Sequence, residues 1–175
     1  MFKLILLGML SIFAFANNLI LEKGEIMAHT EIFGDSKIDP KTELIDSKLT
    51  ITDSIESILG TISTKALSLK SDNAGRDEHM HELLNVTIHP QISFKIVSVQ
   101  KYQNQYVIDG MLTLNGVTKP ASSVCKIEEK NGIVTFNGHF AIKLTQYNME
   151  PPSMLFLTVR DIIDIKYNLS YKKEI

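Results

Sequence analysis

Alternation with a period of two governs this chain. Ile163, Ile165, Tyr167, Leu169 and Tyr171 fall on one parity, and Ile162, Asp164, Lys166, Asn168 and Ser170 on the other. Successive side chains of a strand point to opposite faces, so the first set shares one apolar face and most of the second meets water. Val134, Phe136, Gly138, Phe140, Ile142 and Leu144 repeat the pattern against Thr135, Asn137, His139 and Lys143. Tyr106, Ile108, Gly110, Leu112 and Leu114 do so again, as do Ile92, Phe94 and Ile96. Turn chemistry separates the runs. Asn131-Gly132 is a two-residue hairpin signal joining Val124–Glu128 to Ile133–Leu144. Gln103-Asn104-Gln105, Asn115-Gly116 and Asp39-Pro40-Lys41-Thr42 break the chain elsewhere, and Pro151-Pro152 marks an irregular stretch before the last strand.

Short strands with no room for crossover helices predict an all-β, antiparallel sandwich or barrel. One segment departs from the period of two, from Ser71 to Leu84. It reads as a short helix, capped by Asp72 or Asn73, with Met80, Leu83 and Leu84 as its apolar side. One short helix cannot cover a flat sheet. Curling the sheet so that the apolar faces line the inside solves the problem, and about eight strands fit the length. A barrel of that size packs solid or holds one small ligand.

The N-terminus carries a separate signal. Lys3, the apolar run from Leu4 to Phe15 and the small-x-small site Ala14-Phe15-Ala16 predict a cleaved export signal over residues 1–16. The run is too short to span a bilayer, and no other segment approaches a transmembrane length. The expected mature domain is 17–175, exported from the cytosol. Cys125 is the only cysteine, so an exported domain has no internal disulfide and depends on its own core. Its setting, Ser-Val-Cys-Lys-Ile, reads as a small buried side chain on a strand, dispensable for binding. A net charge of −2 with no Lys/Arg cluster argues against a nucleic-acid partner.

Catalytic patterns are missing. The sequence has no nucleophile elbow and no phosphate loop. His79-x-His81 beside Glu78 and Glu82 is a weak metal signal, because spacing of two on a helix sends the rings to different faces. Glu128-Glu129, Asp161 and Asp164 read as solvated. Neither a cofactor, a metal nor a catalytic group is therefore expected. The apolar interior remains, with Phe94, Ile96, Tyr106, Ile108, Leu112, Phe136, Gly138, Phe140, Ile142, Tyr167 and Leu169 as candidate ligand-lining residues. Glycine inside a strand often marks close approach of a ligand. Gly138, between Phe136 and Phe140, is expected to leave room for a long chain, so that Gly138→Leu would block it without unfolding the sheet.

Three segments resemble the YceI-like family. They are Arg76-Asp77-Glu78-His79-Met80, Pro90-Gln91-Ile92-Ser93-Phe94 and the run from Gly110 to Lys119, Gly-Met-Leu-Thr-Leu-Asn-Gly-Val-Thr-Lys. The resemblance implies a lipocalin-like, eight-stranded antiparallel barrel in the periplasm. It also implies an elongated apolar pocket for a polyisoprenoid or similar long amphiphile, fatty amphiphiles included, and leaves room for a homodimer. It implies a structural clasp at Arg76–His79. The stretch from Leu144 to Met149 departs from the family by losing charges, and Glu82–Val86 by lacking a double Phe; both bear on the pocket mouth. Lipid transport, storage or sequestration is the leading function. A lipid-modifying enzyme would need titratable groups in the pocket, where the inward sets offer only Tyr106 and Tyr167. A solid-core structural or partner-binding barrel would have no tunnel.

Overall fold

The computed structural model describes residues 16–32, 35–154 and 157–174. Of the predicted export segment, all but Ala16 lies outside these residues. Eight strands close into one antiparallel barrel: β1 (Asn17–Ile32), β2 (Ile45–Ile51), β3 (Leu59–Lys65), β4 (Gln91–Tyr102), β5 (Gln105–Leu114), β6 (Val117–Lys130), β7 (Ile133–Lys143) and β8 (Ile162–Lys173). Each strand pairs with the next, and β8 returns to β1, from Leu19 opposite Lys173 to His29 opposite Asp164. Closure removes free sheet edges and turns every apolar face inward.

Turn residues set the register. Asn131 and Gly132 have φ of 54° and 76°, and Asn115 and Gly116 of 48° and 71°. Two successive positive φ values give the primed turn whose twist matches a hairpin. Two strands carry bulges. Pairing shifts between Leu21 and Lys23 in β1, and between Ile96 and Ser98 in β4. Each bulge inserts one residue and resets parity, so the inward set of β1 runs Leu19, Leu21, Gly24, Ile26 and Ala28. The β1–β2 ladder is short, from Asn17 opposite Ile51 to Leu19 opposite Leu49. Farther along, Lys41–Thr42 pairs with β1 at Met27 and Ile26, and Asp35–Ile38 folds back on its end.

The two barrel ends differ. At one end the β4–β5 and β6–β7 hairpins and the turn at Ile55–Ser57 close the barrel over Ile58, which is 0% exposed. Leu19, Leu49, Ile51, Val134, Phe136 and Tyr171 pack there, all nearly inaccessible. The other end, the mouth, carries α1 (Ala74–Leu83), the β5–β6 turn and the long connections after β1 and β7. Asn73 caps α1, accepting from the Arg76 N–H at 3.1 Å. Asp77 accepts from both the backbone N–H and the hydroxyl of Ser71, at 2.8 and 2.7 Å. These bonds tie the first turn of α1 to the connection that leads into it. Met80 and Leu83 lean on the mouth cluster, and Leu84 is buried in it.

Candidate functional site

Halfway along the axis the inward side chains become small. Gly24, Gly110, Ser123 and Gly138 occupy this level on four strands, and neighbouring strands fill the space they leave. A Cβ on Gly138 would lie 2.2 Å from Cζ and Oη of Tyr167, its direct cross-strand partner. One on Gly110 would lie 2.4 Å from Cζ of Phe94, and one on Gly24 would lie 2.6 Å from Cδ2 of Leu169. The Tyr167 ring therefore crosses Gly138 and reaches β6, where its hydroxyl meets Ser123 Oγ at 2.8 Å. Ser123 donates to the His139 carbonyl at 3.1 Å, which leaves Tyr167 as donor to Ser123. Burial pushes the Tyr167 phenol well above its usual range, so it remains a neutral donor.

This level is a floor. Below it the interior is full, with Phe136 and Tyr171 ring centroids 5.4 Å apart, edge to face. Above it, inward apolar side chains keep part of their surface uncovered. Ile92, Phe94, Phe140, Ile163 and Ile165 are only half-buried, as are Met80, Leu83 and Val86 from the α1 region and Ala121 of β6. Phe94 and Phe140 face each other with ring centroids 6.1 Å apart. These partly exposed aliphatic and aromatic groups make the mouth half, hereafter the chamber, the less tightly packed part of the interior.

The eleven residues expected to line a ligand divide by depth. Phe94, Leu112, Phe140 and Ile142 stand in the mouth half. Gly138 and Tyr167 form the floor. Ile96, Tyr106, Ile108, Phe136 and Leu169 share the inward face but belong to the packed closed end. The expectation for Gly138 is corrected: its missing side chain accommodates Tyr167, not a ligand, and Gly110 accommodates Phe94 in the same way. The sequence reading did not select Ile92, Ile163, Ile165, Ala121 or the α1 residues as lining. Parity already places Ile92, Ile163 and Ile165 on the inward face. Nothing in the local pattern around Ala121 and Ser123 marks them as inward.

His29, His81 and Asp161 are engaged in structure. His81 Nε2 lies 2.9 Å from the Leu69 carbonyl. Asp161 accepts from the N–H and hydroxyl of Thr145, at 3.0 and 2.9 Å, which holds its carboxyl below the usual value. Cys125 is 1% exposed, and burial pushes its thiol up to about 11, so it is not a thiolate at neutral pH. At the mouth, His29 Nδ1 lies 2.6 Å from Asp39 and Nε2 3.2 Å from Glu31. The hydrogen bond to Asp39, then that to Glu31, raises its pKa above 6.5. Asp164 stands opposite His29 on β8, paired with Arg160. Protonated His29 clamps the segment at Asp39–Pro40 to β1, beside the Ala28 N–H donated to the Pro40 carbonyl. Because the folded value is the higher one, this stabilisation is complete below about pH 6.5 and is lost as pH rises through the raised value. Hydrogen exchange at the Ala28 amide should accelerate over that rise beyond its intrinsic pH dependence. Asp39→Asn should remove the excess; an unchanged profile in that variant would show the clamp to be inert.

The outer wall holds a groove of about 370 Å³ lined by Glu25, Met27, Asn137, His139, Lys166 and Asn168, reaching Gly138 and Tyr167 at its base. Its lining side chains are the outward set of β1, β7 and β8. The profile of the YceI-like domain matches residues 22–171. The chain belongs to the YceI-like family. A UPF0312 protein of Pectobacterium carotovorum is 39% identical to this YceI-like chain over 97 residues, 51% of this chain and 50% of that protein. The chain thus spans about half the length of the curated relatives it matches. Among solved structures, BcnA of Burkholderia cenocepacia superposes on the YceI-like barrel with a TM-score of 0.75 at 14% identity, covering 84% of this chain and 95% of that one. A polyisoprenoid binding domain from Saccharophagus degradans, implicated in plant cell wall breakdown, superposes with a TM-score of 0.68 at 8% identity, covering 92% and 99%. These likenesses establish the lipocalin-like barrel. No helix among the described residues is long and apolar enough to cross a membrane.

Proposed function

We propose that this chain is an exported carrier that holds one long-chain isoprenoid or fatty amphiphile, tail down, in the mouth half of the barrel. The observation that carries the reading is the half-buried apolar lining above a sealed floor. From Gly138 to Lys143, β7 gives ~17 Å of strand, so the chamber suits an extended chain, not a compact solute. Each methylene moved from water into it contributes ~0.8 kcal/mol, and Phe94, Phe140, Ile163 and Ile165 supply the wall. The inward polar groups at the floor, Tyr167 and Ser123, are bonded to each other and kept neutral, which supports binding over catalysis. Residues 1–16 act as a cleaved export signal and 17–175 as the barrel domain, which places the protein in the periplasm. The polyisoprenoid-binding domain of S. degradans, alike in fold, supports the ligand class.

The test is direct. Protein exported by a bacterial host and purified without detergent is weighed by native mass spectrometry and extracted for lipid. One long-chain amphiphile per barrel is expected, on a polypeptide beginning at Asn17. Protein that carries no lipid and takes up no long polyprenol or fatty amide in titration would refute the carrier; a polypeptide beginning at Met1 would refute export.

A further inference from the structure

Three connections at the mouth meet through their backbones. The segment 41–44 bonds to 64–70: Lys41 and Lys70 exchange N–H···O=C bonds at 2.8 and 3.0 Å, and Thr64 Oγ1 donates to the Leu44 carbonyl at 2.7 Å. Thr42 and Ser68 hydroxyls join at 2.8 Å. The same stretch bonds onward to the connection before β4, where the Ala66 N–H donates to the Pro90 carbonyl at 2.9 Å. This continuous rim carries Leu44, Leu67 and Ile88, which are 72%, 59% and 67% exposed. Three large aliphatic groups thus stand in water on one rim, the kind of exposure that, rimmed by polar residues, accompanies interaction sites.

Charge accompanies them. On segments 41–44, 65–70 and 87–90 the charged residues are Lys41, Lys65, Lys70 and Glu43, a local sum of +2 against a whole-chain net of −2. Lys65 and Lys70 are exposed, and Lys41 is shared with Glu25. Aliphatic tips flanked by lysines are suited to the bilayer interface, where the tips enter the acyl boundary and the ammonium groups meet anionic headgroups. Other acidic residues at this end lie away from this rim, on α1 at Asp77, Glu78 and Glu82, and at the end of β1 and on the connections after β1 and β7, where Glu31 and Asp39 hold His29 and Asp161 holds Thr145. Inside this rim opens the chamber, with Ile92, Phe94 and the α1 residues Met80 and Leu83 along its wall.

We propose that the rim of Leu44, Leu67, Ile88, Lys65 and Lys70 docks the barrel mouth-first on an anionic lipid bilayer surface. A chain then passes between bilayer and chamber without crossing water. The proposal rests on the carrier reading for its purpose but not for its test. Purified exported protein is floated with vesicles of phosphatidylcholine containing one part in three phosphatidylglycerol, and with pure phosphatidylcholine vesicles. Binding to the anionic vesicles that weakens with added salt is expected. Leu44→Ser/Leu67→Ser/Ile88→Ser and Lys65→Glu/Lys70→Glu should each lose it by roughly tenfold or more. Tyr102→Ser, equally apolar and exposed at the closed end, should match the unaltered protein. Equal flotation of all four proteins, or none with anionic vesicles, overturns the docking surface. Co-purified lipid is measured on the same samples. A lipid-loaded protein that ignores vesicles refutes docking and spares the carrier; an empty protein that floats does the reverse.

Discussion

Gly138→Leu is expected to destabilise the barrel by about 3 kcal/mol, because the volume it would enter is already occupied. Even the first added carbon would sit 2.2 Å from the Tyr167 ring. That ring cannot swing aside cheaply. Its hydroxyl is held by Ser123, and its face is buried with the closed-end cluster. Moving it breaks a buried hydrogen bond and leaves Ser123 with one partner fewer. Gly138→Ala should show the same effect in smaller measure. The diagnostic is a double-mutant cycle in urea. In a Tyr167→Ala background Gly138→Ala should become nearly neutral, since its obstacle is gone. Additive effects would mean that the ring does not occupy the glycine space.

Ala121→Phe should empty the chamber while leaving the fold intact. Ala121 stands across from Gly110 on β5 and one inward position nearer the mouth than Ser123. It is half-buried, so a phenyl group there extends over the floor beside Phe94. Lipid recovered per barrel should fall by at least tenfold, with the urea midpoint little changed. The control is Ala141→Phe, an exposed outward position of β7 opposite Asp164, which should retain a full complement. Full lipid content in Ala121→Phe would place the ligand elsewhere.

The comparison of these two positions shows what a sequence of this kind conveys. Parity placed Phe94, Phe140, Ile142, Tyr167 and Leu169 on the inward face, and the Asn-Gly pairs located two hairpins. The side-chain period reports a face, however, and carries no information on depth along the barrel axis. Phe136 and Phe140 read alike, yet one is sealed in the closed end and the other lines the chamber. Gly138 read as vacant because the ring that fills it lies on another strand, 29 residues later in the chain. β1 was illegible for a different reason. Its bulge at Glu22 shifts Gly24, Ile26 and Ala28 to the opposite parity from Leu19 and Leu21, and no alternation survives that shift. In β6 the inward positions are Ala121, Ser123, Cys125 and Ile127, whose mixed polarity hides the face that the floor requires.

The ladder between β1 and β8 has a consequence for the order of events in the cell. The first strand completes its pairing only with the last: Leu19 meets Lys173, and the Asn18 carbonyl accepts from the Glu174 N–H at 2.9 Å. Among the described residues, bringing these ends together spans the highest sequence separation of any pairing and so carries the largest loop-closure entropy. Until the final dozen residues are available, β1 and β7 each present an unsatisfied edge, and the cylinder cannot shut. A nascent chain still attached to the ribosome is therefore an open ribbon. It becomes a closed vessel only once β8 is in place between β7 and β1.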